Sequence, residues 1–363
     1  MSRVLVVGAG FYGATMAHQL HKVGHDVMVI DRRDHLAGNA FTRWNEEARC
    51  HEHVYGAHIF HTSNPVVWDF VRCFGAFNSY RHRIKARSGG RLYSFPINLM
   101  TINQVFSVDT PALAREAIQN DCVPCAEPQN MEQHCLATIG RRLFDLFIDG
   151  YTRKQWQRFP RDLPASIIKR IPVRFTFNDD YFDDTYQGIP MDGYTMLVRN
   201  MLRGVKIVLG RDFTEPLISQ HDLVVHTGGI DEFFGYSLGR LGYRSLRFER
   251  ELIPEPDCQG TAVMNLCDDW SPATRIIEHG HFTGAKADRT LLTFERPADD
   301  GEPFYPIITP ENQALLDSYR ALAKDHFPSV VFGGRLGEYR YLDMHQVIAS
   351  ALSRARELGE RLR

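Results

Sequence analysis

The sequence has few cysteines, no long apolar run and no excess of either charge, and each absence excludes a class of protein. Seven cysteines among 363 residues, without framework spacing, exclude a small disulfide-stapled scaffold and suit a reducing compartment. A formal net charge of −2 leaves no basic block for nucleic acid or an anionic membrane. No apolar run reaches the ~18 residues of a membrane span, and no leader-like segment precedes the first strand. We therefore expect a cytoplasmic protein that binds neither nucleic acid nor membrane.

One cysteine pair has the CxxC spacing. Cys122 and Cys125 are followed by His134 and Cys135, a combination that a zinc knuckle could use, but the spacing matches no standard zinc site. Unpaired thiols are therefore favoured, and no metal is predicted.

The glycines close to the N-terminus carry the first functional signal. An apolar strand at residues 4–7 runs into Gly8, Gly10 and Gly13, the G-x-G-x-x-G spacing that seats a dinucleotide pyrophosphate at a helix N-terminus. A second strand at residues 26–30 ends on Asp31, whose carboxylate is placed to accept hydrogen bonds from ribose hydroxyls. The alternative is a glycine-rich turn without a ligand. Strand, helix and acid together favour the cofactor site.

The rest of the chain mixes helical and strand-like patterns. A length of 363 residues with 44% apolar content predicts two to three domains. Helical spacing is found at residues 64–74, 112–119, 132–148, 311–324 and 344–361. Strand signals are found at residues 80–86, 91–95, 171–177, 206–209, 223–226, 244–252, 260–266 and 291–295. Without a low-complexity linker, the domains are expected to be interleaved.

Four segments, in order along the chain, resemble one family. They are GAHIFHT at 56–62, YTRKQW at 151–156, YFDDTYQGIPMDGYT at 181–195 and GRLGEYRYLDMHQVI at 334–348. These segments are similar to the signatures of UDP-galactopyranose mutases, flavoenzymes that interconvert the pyranose and furanose forms of a nucleotide sugar. The resemblance covers essentially the whole chain.

The resemblance implies an α/β fold in which a Rossmann-like FAD-binding domain is interleaved with two other domains. The expected boundaries are 1–78, 186–240 and 308–363 for the FAD-binding domain, 98–165 for a helical domain, and 79–97, 166–185 and 241–307 for a twisted antiparallel sheet domain. The active site is expected in the cleft where the three domains meet.

The chemistry implied by the resemblance is covalent catalysis by reduced FAD, with no net redox change. Flavin N5 attacks the anomeric carbon and expels the nucleoside diphosphate, and the adduct opens as an iminium so that the sugar ring recloses through another hydroxyl. A reductant such as NAD(P)H or a reductase, a possible homodimer and a role in cell-surface polysaccharide synthesis are also implied.

The resemblance further assigns residues to the substrate. Arg170 and Arg275 correspond to the arginines that contact the diphosphate, for which the guanidinium fork is suited. The hydroxyls expected at the same diphosphate are those of Tyr151, Tyr181, Tyr305 and Tyr341. Phe147 and Trp156 correspond to aromatic surfaces around the uracil ring, with helix packing as the alternative, and Asn265 to a polar contact of the nucleotide.

A further group is expected at the flavin. His58 and His61 lie in the segment that follows the flavin in the family, and His58 is the one expected near N5. Arg335 and the helix N-terminus at Asp343 and Met344 are expected to stabilise the reduced, anionic flavin. Gly38 and Asn39 continue the FAD-binding segment, whereas Arg32 and Arg33 are expected to be solvated.

The sequence also departs from the family pattern. Ala37 replaces a common glycine, Ala57 a common proline and Ala273 a common aromatic residue. Together with the run Arg81, His82 and Arg83, Ala273 leaves the sugar and the nucleotide open. The alternatives are UDP-N-acetylgalactosamine, UDP-arabinopyranose or a GDP- or dTDP-linked hexose. More distant alternatives are an amine-oxidase-like FAD oxidoreductase and a non-catalytic FAD-nucleotide sensor.

Overall fold

Two sheets organise the protein, for which a computed structural model describes residues 1–165, 168 and 173–362. The strands are β1 Arg3–Val7, β2 Asp26–Asp31, β3 Thr42–Asn45, β4 Cys50–His53, β5 Phe60–Thr62, β6 Ile84–Ser88, β7 Arg91–Phe95, β8 Tyr186–Gly188, β9 Lys206–Leu209, β10 Leu223–His226, β11 Tyr243–Ile253, β12 Val263–Leu266, β13 Arg275–Glu278, β14 Thr290–Ala298, β15 Tyr305–Pro306 and β16 Val330–Phe332. The first sheet has the order β16-β10-β1-β2-β9, and the second the order β15-β11-β14-β13-β12-β6-β7.

The helices are α1 Phe11–Lys22, α2 Pro65–Arg72, α3 Leu99–Phe106, α4 Pro111–Asp121, α5 Met131–Thr138, α6 Gly140–Leu143, α7 Gly150–Trp156, α8 Gly193–Met201, α9 Pro216–Ser219, α10 Ile230–Phe233, α11 Pro310–His326, α12 Gly334–Gly337 and α13 Met344–Arg361. Polar side chains begin several of them by accepting the first free N–H groups. Asn64 caps α2, and Thr309 caps α11, each followed by a proline at the first helical position.

The five-stranded sheet is parallel throughout. Its carboxyl edge brings together residues at the ends of β1, β2 and β10, which are far apart in sequence. Gly8, Asp31 and Thr227 therefore meet at one edge, where ligands of doubly wound folds bind. A core of α1, α8 and α13 side chains packs on this part of the molecule.

The seven-stranded sheet is antiparallel except where β6 and β12 pair in parallel. Its register aligns three polar residues on neighbouring strands. Asn265 on β12 lies opposite Arg275 on β13, and Arg275 lies opposite Glu295 on β14. Because directly opposed residues share one face of a sheet, the three side chains form a polar row.

The chain between β7 and β8 contains helices α3 to α7, as the helical pattern predicted, but the long helix expected there is interrupted. The pattern at 132–148 predicts one helix, whereas α5 ends at Thr138 and Gly140, the first residue of α6, takes φ +80°. A π-helical turn, Phe144–Asp149, then leads into α7. The strand predicted at 171–177 is absent from 173–177, and its first two residues lie outside the described part of the chain. The predicted domain boundaries stay a prediction.

Candidate active site

A cavity of about 650 Å³ lies at the carboxyl edge of the parallel sheet. Gly8 and Gly13 are required by the fold around it. A Cβ on Gly8 would lie 1.9 Å from Thr227 Oγ1, and a Cβ on Gly13 would lie 1.9 Å from Gly8 O. Gly10 differs, because the nearest atom to a Cβ there is Gly38 Cα at 3.9 Å. No protein contact therefore requires Gly10, and a Cβ there would take up space in the cavity that it lines.

Asp31 also lines this cavity, but its carboxylate already has backbone partners. Oδ2 accepts from Ala9 N at 2.7 Å, and Oδ1 accepts from Arg33 N at 2.9 Å. A carboxylate has about four lone-pair sites, so a ribose hydroxyl can still donate to it. Gly38 and Asn39, in the turn Gly38–Ala40, line the same cavity as predicted.

The expectation that Arg32 and Arg33 are solvated is wrong for Arg33. Only 17% of its side chain is exposed, because it donates to Asn39 Oδ1, pairs with Glu302 and packs on the Tyr55 ring. Arg32 is 42% exposed and pairs with Glu232. Both arginines nevertheless border the cavity.

His58, Arg335 and Met344 line the cavity as well. Burial lowers the pKa of His58 to about 4, so its imidazole is neutral at physiological pH. The Arg335 guanidinium is held by Leu342 O, to which Nη2 donates at 2.7 Å and Nε at 3.2 Å. Asp343 lies one residue before α13, and its backbone N–H donates to Gln346 Oε1 at 2.9 Å. It is not among the residues that line the cavity.

An aromatic pair connects the cavity to the polar row. The rings of Tyr305 and Tyr341 stack with centroids 5.5 Å apart, and the Arg335 guanidinium lies 5.8 and 5.2 Å from them. Burial raises the pKa of both tyrosines, so each hydroxyl stays protonated and can donate to an anion. The predicted flavin and diphosphate residues are therefore contiguous here.

Arg275 is the centre of the polar row. Its Nη2 donates to the Tyr151 hydroxyl at 2.9 Å, and its Nε lies 3.4 Å from Glu295 Oε1. Burial opposes its charge, but the Glu295 carboxylate together with the Tyr151, Tyr305 and Tyr181 hydroxyls raises the pKa of Arg275 well above its usual value. Asn265 Oδ1 is buried without a hydrogen-bond partner among the described residues, and Arg275 Nε and Glu295 Oε1 face each other as an ion pair but make no hydrogen bond. Such a concentration of unsatisfied polar atoms is typical of a ligand site.

The aromatic residues predicted at the base have different environments. Trp156 ends α7 and is half-buried, whereas Phe147 is only 2% exposed and packs edge-on against Tyr93. Phe147 therefore packs in the core, which was the alternative to a contact with the uracil ring. Tyr181 is 39% exposed, and its ring contacts His82, whose pKa is lowered to about 3 by burial and by the Arg275 charge.

His61 lies outside the residues that line the cavity. Its Nδ1 is 2.6 Å from Asp184 Oδ2, and its ring stacks on Phe182 with centroids 3.6 Å apart. Donor atoms of His61, Asp343 and His345 lie within 4.8 Å of one another. Arg170, the second arginine predicted at the diphosphate, lies outside the described residues.

Two of the departures from the family pattern, Ala273 and the basic run at residues 81–83, have structural partners, whereas Ala37 lines the cavity. Ala273 is fully buried and packs with Met264 and Leu266. Arg83 pairs with Asp179 and Asp180, and Arg81 lies 3.7 Å from Asp180. These carboxylates neutralise the basic run, so it does not argue for another nucleotide.

Sequence reasoning missed Glu295 and Lys154. Glu295 had no local signal, because sheet register alone places it beside Arg275. Lys154 lies inside the YTRKQW segment, and its Nζ donates to the carbonyls of Leu266, Asp268, Ser271 and Ala273 at 2.6–3.3 Å. Thr227 was detectable, since it follows a predicted strand of the cofactor sheet.

Comparison with known proteins decides the family. A family model described as UDP-galactopyranose mutase matches residues 146–341, which is more than half of the chain. The chain belongs to the UDP-galactopyranose mutase family. A second model, for a NAD(P)-binding Rossmann-like domain, matches residues 6–74 and includes the glycine loop. The predicted family and the α/β fold class are thus confirmed, and the members of this family are isomerases. The family and the dinucleotide-binding domain together imply a flavin cofactor.

The relatives of this chain include mutases that are named for two different nucleotide sugars. A probable UDP-galactopyranose mutase from Klebsiella pneumoniae is 41% identical, and the alignment covers 98% of this chain and 94% of the relative. A dTDP-fucopyranose mutase from Escherichia coli is 40% identical, with 97% of each chain covered. A solved structure of reduced UDP-galactopyranose mutase has a TM-score of 0.75 at 14% identity, covering 99% of this chain and 95% of that one, which shows the fold alone. In the described residues, no helix has the length and apolarity to cross a membrane.

Proposed function

We propose that the protein interconverts UDP-galactopyranose and UDP-galactofuranose, with reduced FAD bound at the carboxyl edge of the parallel sheet. The observation that carries this proposal is the polar row of Asn265, Arg275 and Glu295, a buried row in which Asn265 Oδ1 and Arg275 Nε make no hydrogen bond with the described residues. Tyr305 interacts electrostatically with Arg275 and Glu295 of the row, and its ring lies 5.8 Å from the guanidinium of Arg335, which lines the dinucleotide cavity. A cofactor and an anionic substrate would therefore bind side by side.

The residues around the row suit a diphosphate leaving group. Arg275 keeps its charge because of Glu295, and Tyr151, Tyr305 and Tyr341 present protonated hydroxyls because burial raises their pKa values. With Arg170, these groups would bind the diphosphate and stabilise its charge as it leaves the sugar. Tyr181, which is 39% exposed, would add a further hydroxyl.

Other residues would hold the cofactor. Gly10 leaves space for the pyrophosphate, Asp31 would bind a ribose hydroxyl, and Arg335 would stabilise negative charge on the reduced isoalloxazine. When bound, reduced FAD supplies the nucleophilic N5 through which the sugar ring changes size without net oxidation. NAD(P)H or a reductase would keep the flavin reduced.

The same ring contraction on a dTDP-linked hexose is the second candidate. It is favoured by the dTDP-fucopyranose mutase from Escherichia coli, whose identity to this chain is within one percentage point of that of the Klebsiella relative. Arg275 and the tyrosines would bind either diphosphate in the same way. The two candidates differ only in the base and the sugar.

A product screen tests both candidates. Purified protein, with FAD and dithionite, is offered UDP-galactopyranose, dTDP-fucopyranose, UDP-N-acetylgalactosamine and UDP-arabinopyranose, and each mixture is analysed for a furanose product. We expect conversion of UDP-galactopyranose by reduced enzyme only. Higher kcat/KM on dTDP-fucopyranose would select the second candidate.

Two other outcomes would overturn the mutase proposal. Consumption of oxygen or NAD(P)H in proportion to the sugar would indicate an oxidoreductase. Binding of nucleotide sugar without any product, with the flavin reduced, would indicate a sensor. Equal turnover by oxidised and reduced enzyme would also contradict the role given to the reduced flavin.

A further inference from the structure

Two buried histidines, His53 and His279, are connected to His58 by hydrogen bonds and have no part in the proposed reaction. His53 ends β4 with 1% of its surface exposed, and His279 is fully buried after β13. Burial lowers the pKa of His279 to about 4 and that of His53 well below its usual value, so both rings are neutral. A neutral histidine has one N–H and one lone pair, and its neighbours decide which nitrogen has which.

Hydrogen bonds to the backbone fix the arrangement of each ring. His53 N–H donates to His279 Nδ1 at 3.2 Å, and His58 N–H donates to His53 Nδ1 at 3.1 Å. Since a backbone N–H can only donate, both Nδ1 atoms must carry lone pairs. The hydrogen of His279 is then on Nε2, which donates to Thr293 Oγ1 at 2.8 Å.

His58, the last ring in the series, has the opposite arrangement. Its Nδ1 is 2.8 Å from Gly56 O, and a carbonyl oxygen can only accept, so Nδ1 carries the hydrogen. The Nε2 atom of the neutral ring is left with a lone pair. Because His58 lines the cavity, this side of the site has an acceptor that has no hydrogen to donate.

Packing holds the series in place. The His53 ring stacks on Phe282 with centroids 4.6 Å apart and meets Tyr194 edge-on. Gly56 takes φ +93°, and a Cβ there would lie 3.1 Å from Glu295 Oε2 and 3.2 Å from Phe248. The turn from His53 to His58 is therefore closely confined on both sides.

We propose that His53 and His279 are positioning residues that fix the backbone of His58, so that its Nδ1–H stays bonded to Gly56 O and its Nε2 remains a hydrogen-bond acceptor at the cofactor cavity. The consequence rests on the proposed flavin site. Flavin N5 carries a hydrogen when reduced and only a lone pair when oxidised. An acceptor without a hydrogen therefore favours the reduced form, which is the form that the proposed reaction needs.

Two variants of His53 separate this role from simple packing. His53→Phe keeps a ring against Phe282 but removes the acceptor for His58 N–H. His53→Asn keeps an acceptor, because its side-chain oxygen takes the position of Nδ1. The readouts are ¹⁵N spectra of histidine-labelled protein, which distinguish N–H from lone-pair nitrogens, and the flavin midpoint potential.

We expect wild-type protein and His53→Asn to show His58 with a protonated Nδ1, and His53→Phe to show a mixture of tautomers. The preference for reduced flavin should fall about tenfold in His53→Phe, which is about 30 mV for a two-electron couple. His53→Asn should keep the wild-type potential. Thr293→Val, which removes the acceptor of His279 Nε2–H, gives a milder second test with the same expected direction.

A protonated Nε2 on His58 in the wild-type spectrum would overturn the proposal. So would equal potentials for His53→Phe and the wild type, or equal losses in His53→Phe and His53→Asn. If the wild-type protein binds no flavin, the proposed function fails. The ¹⁵N spectrum would still decide the tautomer of His58, so the two failures are distinguishable.

Discussion

At the scale of single residues, the Arg275 guanidinium is held between the Tyr151 hydroxyl and the buried Glu295 carboxylate. Glu295 is 2% exposed, and burial raises its pKa, although the Arg275 charge opposes this. A buried charge without its partner is costly, so each residue of the pair depends on the other for its charged state. Arginine has five N–H donors, so Arg275 can hold Tyr151 and still donate to a phosphate.

Arg275→Met should destabilise the protein and weaken diphosphate binding, and the double variant Arg275→Met with Glu295→Met separates the two effects. The single variant leaves Glu295 buried and unpaired, at a cost of about 3–5 kcal/mol in the free energy of unfolding. The double variant should recover most of that stability. Both variants should lose about 2–5 kcal/mol of transition-state stabilisation, calculated from the fall in kcat/KM. Urea unfolding measures the stability, and steady-state kinetics and UDP titration measure the loss at the site; normal UDP affinity in the double variant would place the diphosphate elsewhere.

Arg335→Ala should act through the flavin, since its guanidinium lines the cofactor cavity. Loss of this cation makes the anionic reduced flavin harder to hold, so the midpoint potential should fall while UDP affinity changes little. Arg340→Ala is the matched control, because Arg340 is 61% exposed and pairs with Glu338. An unchanged potential with lost UDP binding would assign Arg335 to the substrate instead.

At the scale of elements, α7 is fastened to the segment between β12 and β13. Gly150 lies so close to this segment that a Cβ would be 2.2 Å from Cys267 O. The Nζ atom of Lys154, one turn further along, lies 2.6–3.3 Å from four carbonyl oxygens at the end of β12 and in this segment, among which it shares its three N–H groups. The helix that carries Tyr151 is thereby fixed against the strands that carry Asn265 and Arg275.

Lys154→Met should lower the free energy of unfolding by about 2–5 kcal/mol, because the carbonyl groups around Nζ lose a charged donor. UDP affinity should fall as well, since the positions of Tyr151 and Arg275 depend on this attachment. Lys324→Met, at an exposed position of α11, is the control for loss of a lysine. Chemical denaturation and UDP titration test the prediction, and a variant as stable as the control would contradict it.

At the scale of the whole molecule, buried neutral histidines are part of the fold. Burial is the largest cause of a lowered pKa at His53, His58, His82 and His279. Their pKa values in the unfolded chain are about 6.5. Between about pH 6.5 and 4, the unfolded chain therefore binds more protons than the folded protein.

The protein should lose stability as the pH falls through this window. The free energy of unfolding should be highest above pH 6.5. Below that pH, each such histidine lowers it by up to about 1.4 kcal/mol per pH unit. His82→Asn keeps a polar group near the Tyr80 hydroxyl but removes one titrating ring, so its slope should be smaller. Urea unfolding between pH 4 and 7.5 measures both slopes, and identical slopes would show that His82 is not neutral in the folded protein.

The sequence by itself determined the features that depend on neighbours in the chain. The glycine loop, strand β10 at 223–226 and helix α13 at 344–361 were predicted with the bounds that the structure has, because backbone freedom and side-chain periodicity are local properties. The family followed from motifs that were each continuous in sequence.

Only the tertiary structure decided which polar groups meet. Asn265, Arg275 and Glu295 share one row because of the pairing register of three strands, and a shift of one residue would turn Arg275 to the other face. Phe147 lies in the core, and Asp179 and Asp180 neutralise Arg83, because contacts between distant segments compete with any local pattern. Residues that are far apart in sequence carry no local trace of such pairings.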